Sequence, residues 1–314
     1  EHAYGRVLND ELKVRRDSYF LMTKGSPKTA AETRELVARQ LKALQTDYLD
    51  FYAWHGINTM ELCEVACAKG GPVEELLKMK AEGIIGHIGF STHAPLEVIL
   101  KAIETDLFDF VNLHYYYFFQ RNQRAVDLAY SKDMGVFIIS PNDKGGQLSN
   151  PSNKLKKLTA PLHPIHFNAR FCLSHPGIHT LTFGLPVTVD FNHINGIFPA
   201  PAPFSQEDLL IKQRMDEQLK LDPYAGFDAY CMENDPSGLN IPEILRFRIL
   251  WKCYDMKDFG IYRYNMFQEK GHWFPGSFPT EENLAKVDVS RCPADVPVVE
   301  LIRETHKGLY RTRK

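Results

Sequence analysis

The chain has 314 residues, 44% of them hydrophobic and 24% charged, with 39 acidic against 37 basic side chains and a net charge of −2. That balance leaves no basic footprint for nucleic acid or an anionic membrane surface, and no apolar run has the length of a membrane span. Six cysteines at irregular spacing do not form a secreted disulfide framework, which points to a reducing, cytoplasmic setting. The first residue is Glu1 rather than methionine, so the natural N-terminus, with any targeting signal, is expected to lie upstream.

Residues 1–16 read as the end of a helix, with Leu8 and Leu12 on one face and charges opposite. Ser18–Gly25 is a short apolar strand that ends in Lys24. Residues 29–45 then place Leu36, Val37, Leu41 and Leu44 at the spacing of an amphipathic helix. Thr46–His55 follows as a buried strand, rich in aromatic and aliphatic residues, and it stops at a histidine beside Gly56. Helical material covers roughly 59–82, 95–104, 122–133 and 164–174. Between these stretches lie strands at Ile84–Phe90, Phe108–His114, Gly135–Ser140 and Thr180–Gly184. The result is six strand–helix units at roughly thirty-residue spacing, the pattern of a parallel sheet and, with right-handed crossovers, of an α/β (β/α)8 TIM barrel. A full barrel has eight strands, so the first two are expected upstream of Glu1.

Phe198–Phe204 alternates proline and reads as an extended linker. The barrel domain is therefore placed at residues 1–203 and a mainly helical extension at 204–314. Helices are expected over roughly 205–220 and from Ile241-Pro242 and Val296-Pro297, with proline in the first turn of the last two. Asp235-Pro236 precedes the first of these starts much as Cys292-Pro293 precedes the second, a weak internal repeat.

A lysine and a histidine at the C-terminal ends of consecutive strands suit one shared site. There they could lower the pKa of a hydroxyl acid and orient a carbonyl oxygen. The residues Phe20–Lys24, Thr46–Gly56, Gly83–Ser91 ("GIIGHIGFS") and Arg170–Gly184 ("RFCLSHPGIHTLTFG") together resemble the aldo-keto reductases, in order and spacing over about residues 1–200. The resemblance implies NADPH, with NADH as the alternative, bound across the barrel mouth, and hydride transfer to a small-molecule aldehyde or ketone. It implies that Lys24 and His55 are two members of a catalytic tetrad. The tetrad's aspartate and tyrosine belong to a segment upstream of residue 1, so the chain as it stands is expected to turn over little. Tyr52, Tyr115, Tyr116 and Tyr117 are read as packing residues.

For the cofactor, the resemblance implies Ser91, with His93 two residues on, at the nicotinamide. His114 stands where the family usually has glutamine. Ser140, Pro141, Asn142 and Gly145, in Ser140–Gly146, resemble the pyrophosphate loop, where glycine allows backbone N–H groups to approach phosphate. Gly184 and Asp190–His193 correspond to the adenosine-phosphate end. The extension resembles the ferredoxin-like module of one branch of the family, whose C-x2-C-x2-C-x3-C-P runs hold [4Fe–4S] clusters. Laid on Cys231, that pattern meets Ala225, Asp228 and Asp235; laid on Cys292, it meets Glu282, Ala285 and Asp288. One thiolate per run cannot hold a cubane, so no cluster is expected. Cys63 with Cys67, and Cys172 with His175 and His179, lack a complete zinc set and are assigned to packing. The alternative reading is a non-catalytic barrel that binds a nucleotide or a protein partner. Nothing in the sequence assigns an oligomeric state.

Overall fold

The structure is a computed structural model that describes residues 1–143, 147–184, 194–195, 197 and 204–312. The chain forms two compact units. One comprises Glu1–His114, Asn122–Ile139 and Pro176–Thr180; the other comprises Tyr115–Arg121, Ser140–His175 and Leu181–Lys314.

The first unit is built on β1 (Met22–Gly25), β2 (Leu49–His55), β3 (Ile85–Ser91), β4 (Phe110–Leu113) and β5 (Gly135–Ile139), and the sixth strand, β6 (Thr180–Thr182), begins in it. The strands are neighbours in sequence order, and the pairings from β1 to β5 are parallel. Sequential parallel neighbours make the wall of a (β/α) barrel, whereas a doubly wound sheet reverses its order partway. Helices α1 (Ala30–Leu44), α2 (Met60–Cys67), α3 (Pro72–Ala81), α4 (Leu96–Ile103) and α5 (Gln123–Ser131) provide the crossovers.

Local chemistry explains the boundaries. Thr29 and Thr59 cap α1 and α2 by accepting the N–H groups of Glu32 and Leu62. The stretch expected to be one helix over 59–82 is two. Gly70 turns left-handed at φ 70°, and Pro72 restarts the helix at its first position, where its missing N–H costs nothing. Alternate residues of the strands face opposite sides. Tyr52, Trp54, Ile88, Phe90, Val111, Leu113, Val136 and Ile138, all essentially inaccessible, form one buried side. On the other side Phe51, Phe110 and Phe137 meet with ring centroids 5.0–5.5 Å apart. Gly89 makes room for this cluster, because a Cβ there would lie 2.4 Å from the Phe110 carbonyl oxygen and 2.6 Å from its ring.

The second unit contains α6 (Asn153–Thr159), α7 (Pro164–Leu173), α8 (Gln206–Leu219), α9 (Ile241–Tyr254), α10 (Lys257–Tyr264) and α11 (Val298–Leu309). The short helices α6 and α10 are absent from the sequence reading. Helix α9 is its core, burying Ile244, Leu245, Phe247 and Leu250. Arg246 is buried with them and bonds Glu243 and Asp143, both also buried. Arg248 bonds Asp222 and Glu304. The two halves of the internal repeat align: α9 and α11 start as far apart in sequence as Pro236 and Pro293. Pro242 sits in the first turn of α9 as expected, while Pro297 is the residue before α11 rather than inside it.

Candidate active site

Strand register brings the first group of candidate residues together. His55, Ser91 and Asn112 lie side by side across β2, β3 and β4, and Lys24 is level with Ala53, two residues before His55. Partners in a parallel ladder point to the same side, and so do residues two apart. Lys24, His55, Ser91 and Asn112 therefore share one face, at the C-terminal ends of adjacent strands and above the phenylalanine cluster.

The backbone beneath them is tightly tied. Gly56, at φ 88°, turns the chain out of β2, and its N–H donates to the Ser91 carbonyl at 2.9 Å and to Ser91 Oγ at 3.2 Å. The Ile57 N–H donates to the same carbonyl. Thr92 Oγ1 donates back to the Ile57 carbonyl at 2.6 Å, and Asn58 Oδ1 accepts the His93 N–H at 2.7 Å. These bonds tie the loop after His55 to the loop after Ser91. His93 and His114 also meet: Nδ1 of the first and Nε2 of the second are 2.6 Å apart, within hydrogen-bond distance, and the rings stack at 4.6 Å.

The electrostatics of the row are set by Lys24 and Asn112. Lys24 is open to solvent, yet the protein around it desolvates its ammonium and holds its pKa below the ordinary lysine value. Among the described residues no ion pair involves that ammonium. Asn112 is 1% exposed, and its Oδ1 is a buried acceptor with no hydrogen-bond partner among the described residues. Sequence reading missed Asn112; the available signal was one polar residue inside an otherwise apolar strand, Phe-Val-Asn-Leu.

The other predicted cofactor residues belong to the second unit. Ser140 and Asp143 both have left-handed backbones, at φ 51° and 54°, which makes a tight loop after β5. The Pro141 carbonyl accepts Asn168 Nδ2 at 2.5 Å, and Asp143 is bonded by Arg246. Asn142 is buried and its Oδ1 has no partner among the described residues. Gly184 is exposed with open space where a Cβ would go, so no close approach there demands glycine. Gly145 and the Asp190–His193 stretch lie outside the described residues.

The tyrosines are engaged elsewhere. Tyr52 Oη donates to Gln40 Oε1 at 3.0 Å, and burial, with a smaller push from the Glu1 charge, holds its phenol far above the usual range. Tyr117 Oη donates to Asp216 at 2.8 Å, and Tyr115 stacks on Phe171. Among the described residues no group of three histidine, cysteine or carboxylate side chains converges to hold a metal ion, and no helix is long and apolar enough to cross a membrane.

A sequentially wired parallel sheet with ionisable and hydrogen-bonding side chains gathered at its C-terminal strand ends defines the class of (β/α)-barrel enzymes. The profile of the Aldo/keto reductase family matches residues 1–158, and the chain belongs to that family of oxidoreductases. Among solved structures, aldo-keto reductase AKR11C1 from Bacillus halodurans in its holo form is similar at 21% identity and a TM-score of 0.56, over 68% of this chain and 77% of that one. An aldo/keto reductase from Brucella melitensis is 18% identical with a TM-score of 0.53, over 68% and 78%. The aldose reductase from Giardia lamblia is 14% identical with a TM-score of 0.52, over the same shares. At these identities the likeness is one of fold. Comparison with curated proteins gives no match.

Proposed function

We propose that the chain is the greater part of an NADPH-dependent reductase of small aldehydes or ketones, with Lys24 and His55 as catalytic residues. The observation that carries this reading is the shared face: Lys24, His55, Ser91 and Asn112 sit in register at adjacent strand ends. His55 is the group to orient a carbonyl oxygen, and a desolvated Lys24 ammonium is a stronger hydrogen-bond donor than a solvated one. When bound, NADPH supplies the hydride.

The residues suit its nicotinamide end. A carboxamide carries both a donor and an acceptor, and the row offers the Oδ1 of Asn112, which has no partner among the described residues, beside Ser91 on the next strand. No residue of this chain matches the family's tyrosine acid or its aspartate by motif. The extension from residue 204 is proposed to be a ferredoxin-like module, supported by the matched starts of α9 and α11 and by the Asp235 carboxylate of one repeat accepting the Asp288 N–H of the other at 3.1 Å.

The test is NADPH titration followed by intrinsic fluorescence. Saturable binding that His55→Ala leaves intact is expected, with carbonyl turnover far below that of an enzyme holding a tyrosine acid. Failure of the native chain to bind NADPH or NADH would overturn the reading in favour of a non-catalytic barrel. Turnover at ordinary rates would overturn the assignment of the acid to residues outside this chain.

A further inference from the structure

Cys231 and Cys292 come from different halves of the repeat, yet the fold brings both to the wall of one groove. Cys231 lies in the helical turn Ala229–Met232, whose first N–H groups are capped by Asp228. Cys292 follows the turn Val289–Arg291, capped in the same way by Asp288. Its Sγ also sits 3.1 Å from Met232 Sδ. Both cysteines line one open groove with Phe227, Asp228, Arg291 and Pro293; Cys231 is exposed and Cys292 half-buried. The reductase reading uses neither of them.

We infer that Cys231 and Cys292 form a dithiol–disulfide couple, a covalent modification site in the second unit that accepts oxidising equivalents from a low-molecular-weight disulfide. The inference does not depend on the barrel's activity. Geometry assigns the roles. Cys231 is reachable from solvent, whereas Cys292 is half-buried with its S–H directed at Met232 Sδ, so Cys231 is the attacking thiol and Cys292 the resolving one.

In the first step the Cys231 thiolate forms a bond to one sulfur of oxidised glutathione and expels the other half as a thiolate, which takes a proton. In the second step the Cys292 thiol loses its proton and its sulfur attacks the Cys231 sulfur. The Cys231–Cys292 bond forms and the second glutathione leaves. Two thiols lose two electrons and two protons, and one glutathione disulfide becomes two glutathione thiols. The groove holds Asp228, which with burial raises the Cys231 pKa, and Arg291, which lowers it. Burial, the Cys231 charge and Asp235 push Cys292 up to about 11. Coupling therefore speeds up as pH rises from neutrality.

The experiment treats the full chain with oxidised glutathione at mildly alkaline pH, alkylates the remaining thiols and maps proteolytic peptides by mass spectrometry. The expected product is a Cys231 peptide joined to a Cys292 peptide, lighter by two hydrogens than the reduced pair and reversed by dithiothreitol. The oxidised chain is also expected to melt several degrees higher, because the link closes a long loop. Cys292→Ser should stop the reaction at a glutathione adduct on Cys231, and Cys231→Ser should leave Cys292 open to alkylation. A native chain that keeps both thiols, or that ends with glutathione on Cys231 and Cys292 still alkylated, would overturn the inference. Mapping of the native chain decides the matter even if a variant fails to fold.

Discussion

Asn112 is where stability and function diverge most sharply within one side chain. A buried amide oxygen such as this one, without a hydrogen-bond partner among the described residues, costs a strand roughly 1–3 kcal/mol. Asn112→Leu is expected to leave the free protein as stable or more stable, by about 1 kcal/mol in a urea titration, while weakening NADPH binding about tenfold or more. A variant that binds NADPH as the native chain does would remove Asn112 from the site. At this scale Lys24, His55 and Ser91 were legible because each closes an apolar run. Asn112 was not, because its meaning depends on Ser91 lying beside it in the next strand.

At the scale of elements, the row depends on Gly89, two residues below Ser91 on the same face. Gly89→Ala would force its new methyl group against the Phe110 backbone and ring. Overpacking of this kind costs about 1–3 kcal/mol, and the strain falls on the strand that carries Ser91. A lower urea midpoint together with weaker NADPH binding is expected; an unchanged midpoint would show that Phe110 yields freely. Short apolar runs rich in aromatic and aliphatic residues made all six strands legible. The break between α2 and α3 was signalled by Gly70-Gly71-Pro72, but the helical spacing on either side of it concealed the stop. Helices α6 and α10 are too short to establish a period of their own, and they exist through packing.

For the whole molecule, charge networks in the second unit tie stability to pH. Burial alone would raise the Glu304 pKa, but hydrogen bonds from Lys252 and Arg248 outweigh it and lower the value below that of an ordinary glutamate. A carboxylate depressed in the folded state contributes stability that is fully present above its unfolded pKa of about 4.3 and is lost as pH falls through the folded value. Glu304→Gln is therefore expected to lower the melting temperature at neutral pH and to flatten its acid decline, with the two proteins converging at low pH. Parallel curves across the whole range would refute the role given to Glu304.

What the sequence by itself determined is the alternation of strands and helices, the strand ends that carry Lys24, His55 and Ser91, and the change to helices after the proline-rich stretch. These are properties of neighbours in the chain, written in hydrophobic period and turn chemistry. Only the tertiary structure decided that His55, Ser91 and Asn112 form one line, that His93 meets His114, and that Cys231 and Cys292 line one groove. Such pairings depend on ladder register and on how distant turns pack. A shift of one residue in register would move a side chain to the opposite face while leaving the local sequence unchanged.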